Sequence, residues 1–454
     1  MADSKSTFTL AATGEAFMMR RLSVFDEPEF QAMIKLIREA DASFVNLETA
    51  IHKFEGEPAQ GGGGAQAYPF VADELKWLGF KLISTANNHT TDYSTGSLVS
   101  TLEHLDRVEL VRAGSGMNLA EAREAGYLDT KRGIVALVAA TTTSAQFASE
   151  QRPNLRGRPG DNPLRINKTY TLDPACFEAF RKVALKLRER GGWLMPALVG
   201  EKELTLLGNK YKLADEIGTE QTMNPLDLEG NLRSIRDARA LADWVVVSVH
   251  DHERAFKLPP GLEEGEAPAE AIQDFAHACI DAGADVFIGH GPHRDRGIEI
   301  YKGKPIFYSI GNFVLQSTLI TKRPQDHIEP WGFDVTASIV DFYEKREEPH
   351  RHFFDWDYSW ETFIAMSTFD CDTGQIADLK LYPITLGLWE LNKEAKDNLW
   401  ATWKPMKEVR TKLGRPKLAD RELGKKIIDR VAKISSPYGT EIEFKDGVDL
   451  VKLR

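Results

Sequence analysis

Residues 244–250, WVVVSVH, and residues 285–293, DVFIGHGPH, are two apolar runs that each end on histidine. Both read as buried β-strands, and the helical pattern near Ala269–Ala282 between them completes a strand–helix–strand unit. A chain built from such units is α/β. In open α/β sheets ligands bind beyond the carboxyl ends of the strands, where loops can aim side chains that the packed interior would exclude. His250, His290 and His293 stand at that place.

The same rhythm extends outward in both directions. Strand candidates at Phe8–Ala12, Ser43–Asn46 and Lys81–Thr85 alternate with helices near Glu29–Glu39 and Val71–Leu78, followed by a helix at Gly96–Arg107 and a strand at Ile134–Ala139. Gly61 to Gly64 lies in a polar stretch and reads as a mobile surface flap. Residues 144–230, poor in strand patterns apart from a helix near Pro174–Arg190, read as an insertion or lid in a single catalytic domain spanning 1–454. After strands at Ile298–Tyr301 and Ile306–Ser309 come a loop-rich segment at 316–360 and an antiparallel pair at Phe363–Ser367 and Ile376–Pro383. A C-terminal extension at 385–454, with a helix near Arg421–Ser435, closes the chain.

Composition narrows the function classes. The 454 residues carry 57 Lys and Arg against 68 Asp and Glu, a net charge of −11 without long single-sign blocks, which argues against nucleic acid or an anionic membrane as partner. Cys176, Cys279 and Cys371 are far apart and odd in number, so neither a disulfide framework nor a thiolate zinc site is expected, and a reducing cytoplasm fits best. The N-terminal stretch has no signal-peptide pattern, and the longest apolar runs fall far short of the roughly 20 residues that span a bilayer.

Five strand candidates end in a group able to bind a metal or move a proton: TLAATGE at Glu15, SFVNLE at Glu48, LISTANNH at Asn88 and His89, VVVSVH at His250, and VFIGHGPH at His290 and His293. Any one of them alone has an ordinary reading, such as a helix N-cap for Asn88 or a hydrogen-bonded core histidine for His250. Their joint occurrence points to a site. Carboxylate, imidazole and amide oxygen form a mixed N/O set suited to Mn²⁺, Zn²⁺ or Fe. The set Glu15, Glu48, Asn88, His250, His290 and His293 is too large for one tetrahedral ion and suits two ions about 3.5–4 Å apart. Asp251, His252 and Glu253 are candidates to fix imidazole tautomers. Arg152, Arg156, Arg158 and Arg165 are candidate clamps for a substrate carboxylate or phosphate. His327, Trp331, His352, Trp356 and Trp360 are candidate pocket walls.

At these residues the sequence resembles the poly-gamma-glutamate capsule biosynthesis (CapA-type) family of the calcineurin-like metallophosphatase superfamily. The resemblance runs from about Thr9 to Thr143 and from about Asp237 to Pro383, carried by FVNLETAI, STANNHTTDY, AGSGMNLAEA, VVVSVHDHE, DAGADVFIGHGPHRDRGIEIYKGKPIFYSIGNF and LKLYPI, with SSPYGTEI in the tail. It implies a calcineurin-like fold of two mixed β-sheets packed as a sandwich and flanked by helices. It also implies Asn88 as a metal ligand, His89 as proton donor or oxyanion stabiliser, and Glu48 at the bridging-carboxylate position. His250 and His290 would hold one metal, and His293 with Glu15 would serve the other. The chain departs from the family pattern in carrying Gly14-Glu15 where Gly-Asp is usual, Phe17 where the phosphatase histidine would stand, and Asp251-His252 after the fourth motif's histidine.

The expected activity is metal-dependent hydrolysis of an amide or peptide-like bond in a small carboxylate-bearing or peptide-like substrate, with His89, Glu15 and His293 as the proton-handling groups. A phosphoesterase using the same metals, a metal-assisted epimerase with Glu15 and His293 as opposed bases, and a non-catalytic partner in poly-gamma-glutamate assembly are the alternatives.

Overall fold

The computed structural model describes residues 6–191, 199–334, 336–346, 357–390, 413–445 and 448–452. His352 and Trp356 lie outside the described residues, as do parts of the 316–360 and 385–454 segments.

Strand Trp244–His250 runs parallel to Gly133–Thr141 on one side and to Val286–His290 on the other, and Val286–His290 is parallel in turn to Lys304–Ser309. Antiparallel strands Gly126–Thr130 and Arg296–Tyr301 close the two edges of this six-stranded sheet. Because both faces are covered, its central strands are apolar at nearly every position. Trp244 and Val246 face one core while Val245, Val247 and Val249 face another. That outer core is completed by helices Pro225–Leu241 and Glu270–Asp281, through Ile235, Ile272, Phe275 and Cys279.

A larger sheet packs against the inner face. Its parallel half is Val111–Ala113, Leu82–Ser84, Ala42–Leu47 and Thr7–Phe17, after which Glu361–Asp370 and Ile376–Thr385 continue antiparallel. Phe8, Leu10, Phe44 and Leu82 meet Leu137, Val246, Ile288 and Phe307 between the sheets, with helix Arg421–Ser435 adding Leu423, Ile427 and Val431. On the outer face Ala11, Val45 and Ile83 pack under helices Pro28–Glu39 and Phe70–Leu78. The result is two mixed sheets in a sandwich with helices outside both, as the sequence implied.

Two segments differ from their sequence reading. Residues between 160 and 223 carry a four-stranded sheet of their own, in the order Glu203–Leu206, Asn209–Leu213, Ile166–Leu172 and Gly218–Met223. It shares a small core of Leu172, Phe177, Leu204 and Leu206 with helix Pro174–Gly191. Its strands are polar on their open face, which hides them from an apolar-run search. The glycine run is a packed turn and not an open flap: Gly62, Gly64 and Ala65 are buried, and a Cβ on Gly63 would stand 2.8 Å from His89 Cε1. Among the described residues no helix is long and apolar enough to cross a membrane, and Cys176, Cys279 and Cys371 are free thiols.

Candidate metal centre

The pleat delivers the side chains. In strand Trp244–His250, residues 244 and 246 face the inter-sheet core, and period two sends Ser248 and His250 the same way. In strand Val286–His290, residues 286 and 288 face it, and His290 follows. His250 and His290 are paired in register, which brings their Nδ1 atoms to 3.1 Å. Across the sandwich Ala42 and Phe44 face inward, so Asn46 and Glu48 do too.

Glu15 needs a different device. Alternation from Phe8, Leu10 and Ala12 would turn position 15 outward, but the register against Ala42–Leu47 shifts between Ala12 and Glu15. Such an irregularity re-aims the side chain. Glu15 therefore sits inside strand Thr7–Phe17 and not at its end, paired with Asn46 and Asn312. Gly14 is required at the kink, where a Cβ would come within 1.8 Å of the Gly311 carbonyl oxygen.

These devices converge. Three sets of potential ligand atoms each lie within 4.8 Å of one another: Glu15, His250 and His290; Glu48, His250 and His252; and Glu15, Glu48 and His293. Glu15 Oε2 is 2.7 Å from His293 Nδ1, Glu15 Oε1 is 3.5 Å from His250 Nδ1, and Glu48 Oε1 is 3.6 Å from His293 Nε2. His250 Nε2 faces His252 Nε2 at 3.0 Å, while Ser248 Oγ lies 2.8 Å from His290 Nε2. His293 takes a left-handed backbone, φ 56°, uncommon for a residue with a side chain, and its Nδ1 is 2.9 Å from Asn312 Oδ1.

The charges in this cluster are strongly perturbed. Burial drives His250 well below the usual imidazole value, and burial likewise brings His252 and His290 to about 4. These three are neutral, the form that binds metal. Burial followed by the neighbouring Glu15 charge pushes Glu48 up to about 8. Burial would also raise Glu15, but the imidazolium of His293 outweighs it and holds this carboxyl below its ordinary value. His293 loses to burial and gains more from the two glutamates, reaching about 10.

Both oxygens of Glu15 and of Glu48, and Oδ1 of Asn88, are buried without a well-formed hydrogen bond to a described residue, although Glu15 Oε2 lies close to His293. Buried polar atoms are rarely left so. Carboxylate oxygens of Glu15 and Glu48 grouped with the neutral imidazoles of His250, His252 and His290, beside protonated His293, are a donor set that fits divalent cations.

Asn88 does not cap the following helix, whose N-cap is Tyr93. Beside it, His89 Nδ1 is 2.9 Å from Asp92 Oδ2, which also accepts the Ala65 N–H at 2.7 Å. Burial lowers the His89 pKa, but the Asp92 charge outweighs it and leaves the imidazole above its ordinary value.

Asp92 and Asn312 had no role in the sequence reading of the cluster, and His252 had only a tautomer-fixing one. His252 offers a nitrogen to a candidate ligand set and not only a tautomer-fixing bond, as its position two residues after His250 allows. Asp92 follows His89 by three residues in the quoted STANNHTTDY, and Asn312 lies in the quoted SIGNF. The flanking Asp251 pairs with buried Arg296 at 2.7 Å, and Glu253 binds Lys168 at 2.6 Å.

The four candidate clamp arginines are exposed and point to other work where partners are evident. Arg165 makes a two-pronged pair with Asp227 at 2.6 and 2.9 Å, Arg152 lies 3.6 Å from Glu150, and Arg158 donates to the Phe147 carbonyl. The structure brings neither these nor Arg156 into the metal cluster. Of the candidate wall aromatics, His327 and Trp331 line a cavity that opens on His89 and His293, while Trp360 is buried in the core under the larger sheet.

The family model of the bacterial capsule synthesis protein PGA_cap matches residues 9–317, which include Glu15, Glu48, His89, His250, His252, His290 and His293. The chain belongs to that family. The CapA-type resemblance of the sequence is thereby borne out. This PGA_cap protein is 33% identical to the uncharacterized protein y4sH of Sinorhizobium fredii over 98% of its own length and 93% of that protein's. It is 24% identical to the PGA biosynthesis protein CapA of Bacillus subtilis over 66% of its own length, spanning 63% of that relative. A novel phosphatase from Mycoplasma pneumoniae of known crystal structure aligns loosely, at 11% identity and a TM-score of 0.36, over 87% of this chain and 99% of that one.

Proposed function

We propose that this PGA_cap protein is a dinuclear metal-dependent hydrolase that cleaves an amide or peptide-like bond of a carboxylate-bearing substrate. The observation that carries the reading is the set of orphaned Glu15 and Glu48 oxygens turned toward neutral His250, His252 and His290. Glu15, Glu48, His250, His252, His290 and His293, with Asn88 Oδ1, would hold the ions. Bound divalent ions, Mn²⁺, Zn²⁺ or Fe, would supply Lewis acidity and an activated water.

The chain's own residues account for orientation and proton handling. Asp92 engages His89 Nδ1 and leaves Nε2 as the nitrogen that gives a proton to a leaving group. Asn312 fixes the ring of His293, whose Nε2 points to Glu48. Phe17, Leu315, Ile320, Trp331 and Phe342 line the adjoining cavity together with His89, His293, Arg323 and His327. The name of the Bacillus subtilis relative, which links that protein to PGA biosynthesis, supports an amide-containing substrate. The free cysteines support a cytoplasmic location.

Purified protein loaded with Mn²⁺, Zn²⁺ or Fe²⁺ is assayed against γ-glutamyl and peptide amides and against phosphomonoesters and diesters. Metal-dependent amide cleavage is expected. Faster phosphoester hydrolysis would replace the reading with a phosphoesterase, and solvent-deuterium uptake without cleavage with an epimerase. Protein that binds no metal would be an assembly partner and not an enzyme.

A further inference from the structure

His252 stands two residues past the end of strand Trp244–His250, where no ladder partner aims it. Its Nε2 nevertheless meets His250 Nε2 at 3.0 Å, and it shares a candidate ligand set with His250 and Glu48. A side chain in such a loop loses rotamer freedom when it is fixed, so a ligand there needs support from the groups around it. The support lies on both sides of His252, where Asp251 and Glu253 are buried although His252 between them is not. One side chain grips both neighbours. Arg296 donates from Nη1 to Asp251 Oδ2 and from Nη2 to the Glu253 carbonyl oxygen, each at 2.7 Å. Asp251 Oδ1 accepts the Glu253 N–H at 2.6 Å, which closes a ring of bonds across the residue between them. The Asp251 N–H donates in turn to the His290 carbonyl oxygen at 2.7 Å.

Arg296 is placed for this task. It opens strand Arg296–Tyr301 opposite Ser309 and is only 2% exposed. Its guanidinium is planar with donors in a fixed fork, so the two acceptors it holds stay at a set spacing in one plane. The Glu253 carboxylate is engaged by Lys168 at 2.6 Å and Gln221 at 3.2 Å, so it is the backbone of residue 253 that Arg296 fixes. The remaining Arg296 bond, from Nε, goes to the Gly265 carbonyl oxygen at 3.5 Å.

We propose, resting on the metal-centre reading above, that Arg296 is a positioning residue: by holding residues 251 and 253 it presents the His252 imidazole to a metal ion bound with His250 and Glu48. Among the described residues its hydrogen bonds reach no candidate ligand atom, so its effect on metal passes through His252. Removing Arg296 should therefore matter only while His252 is present.

The test is a double-mutant cycle on the full chain, read as Zn²⁺ affinity by chelator competition. Arg296→Met alone should weaken Zn²⁺ binding about 10–100-fold, the range for partners that orient a ligand. In the His252→Ala background the same change should add less than about twofold. Arg296→Lys keeps the charge without the fork and should recover part of the loss. Absorption spectra of the Co²⁺-loaded proteins give a second readout, in which Arg296→Met should take on the spectrum of His252→Ala because both lose the same imidazole. Arg296→Met strands the buried Asp251 charge, so it is also made together with Asp251→Asn, and thermal melts identify the folded variants. Should neither fold, Arg296→Lys carries the cycle. Unchanged Zn²⁺ affinity on losing Arg296 overturns the proposal. So does a loss as large in the His252→Ala background as in the wild type, which would make Arg296 a merely structural residue. In both cases Zn²⁺ binding by the wild type leaves the metal reading intact. A wild type that takes up no metal overturns that reading and the proposal together, whereas the expected cycle without hydrolysis of any substrate sinks the hydrolase reading alone.

Discussion

Replacing Glu48 by Gln should strengthen the protein without metal and weaken its response to metal. Glu48 is fully buried beside Glu15, and burial with that neighbouring charge raises its carboxyl from 4.5 to about 8. A folded-state value above the unfolded one means the stability it contributes is complete below pH 4.5 and is lost as pH rises through about 8. At pH 7 the gap from 4.5 corresponds to roughly 3 kcal/mol, at 1.36 kcal/mol per pH unit. Glutamine carries no charge to lose. Its amide must still find partners, so the net gain should be about 1–3 kcal/mol. With Mn²⁺ at about 100 times its dissociation constant the wild type should gain about 3 kcal/mol, and the variant much less. Chemical denaturation followed by circular dichroism, from pH 4.5 to 8 with EDTA or with Mn²⁺, reads both effects. If Glu48→Gln is less stable than the wild type in EDTA at pH 7, or if Mn²⁺ stabilises the two equally, the electrostatic account of the cluster is wrong.

His252→Ala should weaken metal binding by at least ~10-fold in chelator competition, because it removes the nitrogen facing His250 Nε2, and unchanged affinity would strike His252 from the ligand set. Asp92→Asn should lower the pKa of His89, since the Asp92 charge is what outweighs burial there, and should slow hydrolysis about 10²-fold. Histidine NMR titration reads the first effect, and an unmoved His89 would refute the assigned dyad. Asp161 is buried with Ser144 Oγ donating to its Oδ2 at 2.6 Å, and burial lifts its carboxyl well above 3.8, so its contribution to stability falls as pH rises. Asp161→Asn should therefore gain on the wild type as pH rises from 5 to 8, and a constant difference across that range in chemical denaturation would contradict this.

The elements with strong patterns were legible. Helix Arg421–Ser435 and strand Trp244–His250 stand within a residue of their sequence boundaries, because their apolar faces are buried and their periods are clean. His250, His290 and Glu48 were legible as site residues because each closes an apolar strand on its inward phase. Glu15 was found for the wrong geometric reason. Sequence cannot show a register shift, so the residue looked like a strand end when it lies inside one. The sheet between residues 160 and 223 escaped because strands such as NKYKL expose one face and carry charges at alternate positions. His252 was legible only as a tautomer-fixing neighbour, because its approach to His250 Nε2 is set by the fold of the loop after the strand. The arginines after Gln151 attracted a clamp role through their density alone.

The two sheets divide the site by charge type. The larger sheet brings Glu15, Glu48 and Asn88, while the smaller brings His250, His252, His290 and His293. Neither sheet alone could keep its share buried: the carboxylates would face apolar surface without counter-charge, and the imidazoles would lack the anions that favour a cation among them. Packing the Phe8–Phe44 face against the Val246–Ile288 face is what makes both sets tolerable, so core formation and site assembly are one event. The same dependence explains the choice of register. A one-residue slip in any of the four inward-facing strands would carry its ligand to the outer layer and replace it with an apolar residue, losing core and site together. A fold constrained in this way holds its candidate metal ligands by the same contacts that hold the sheets, and the loops beyond the strand ends are left to shape what reaches them.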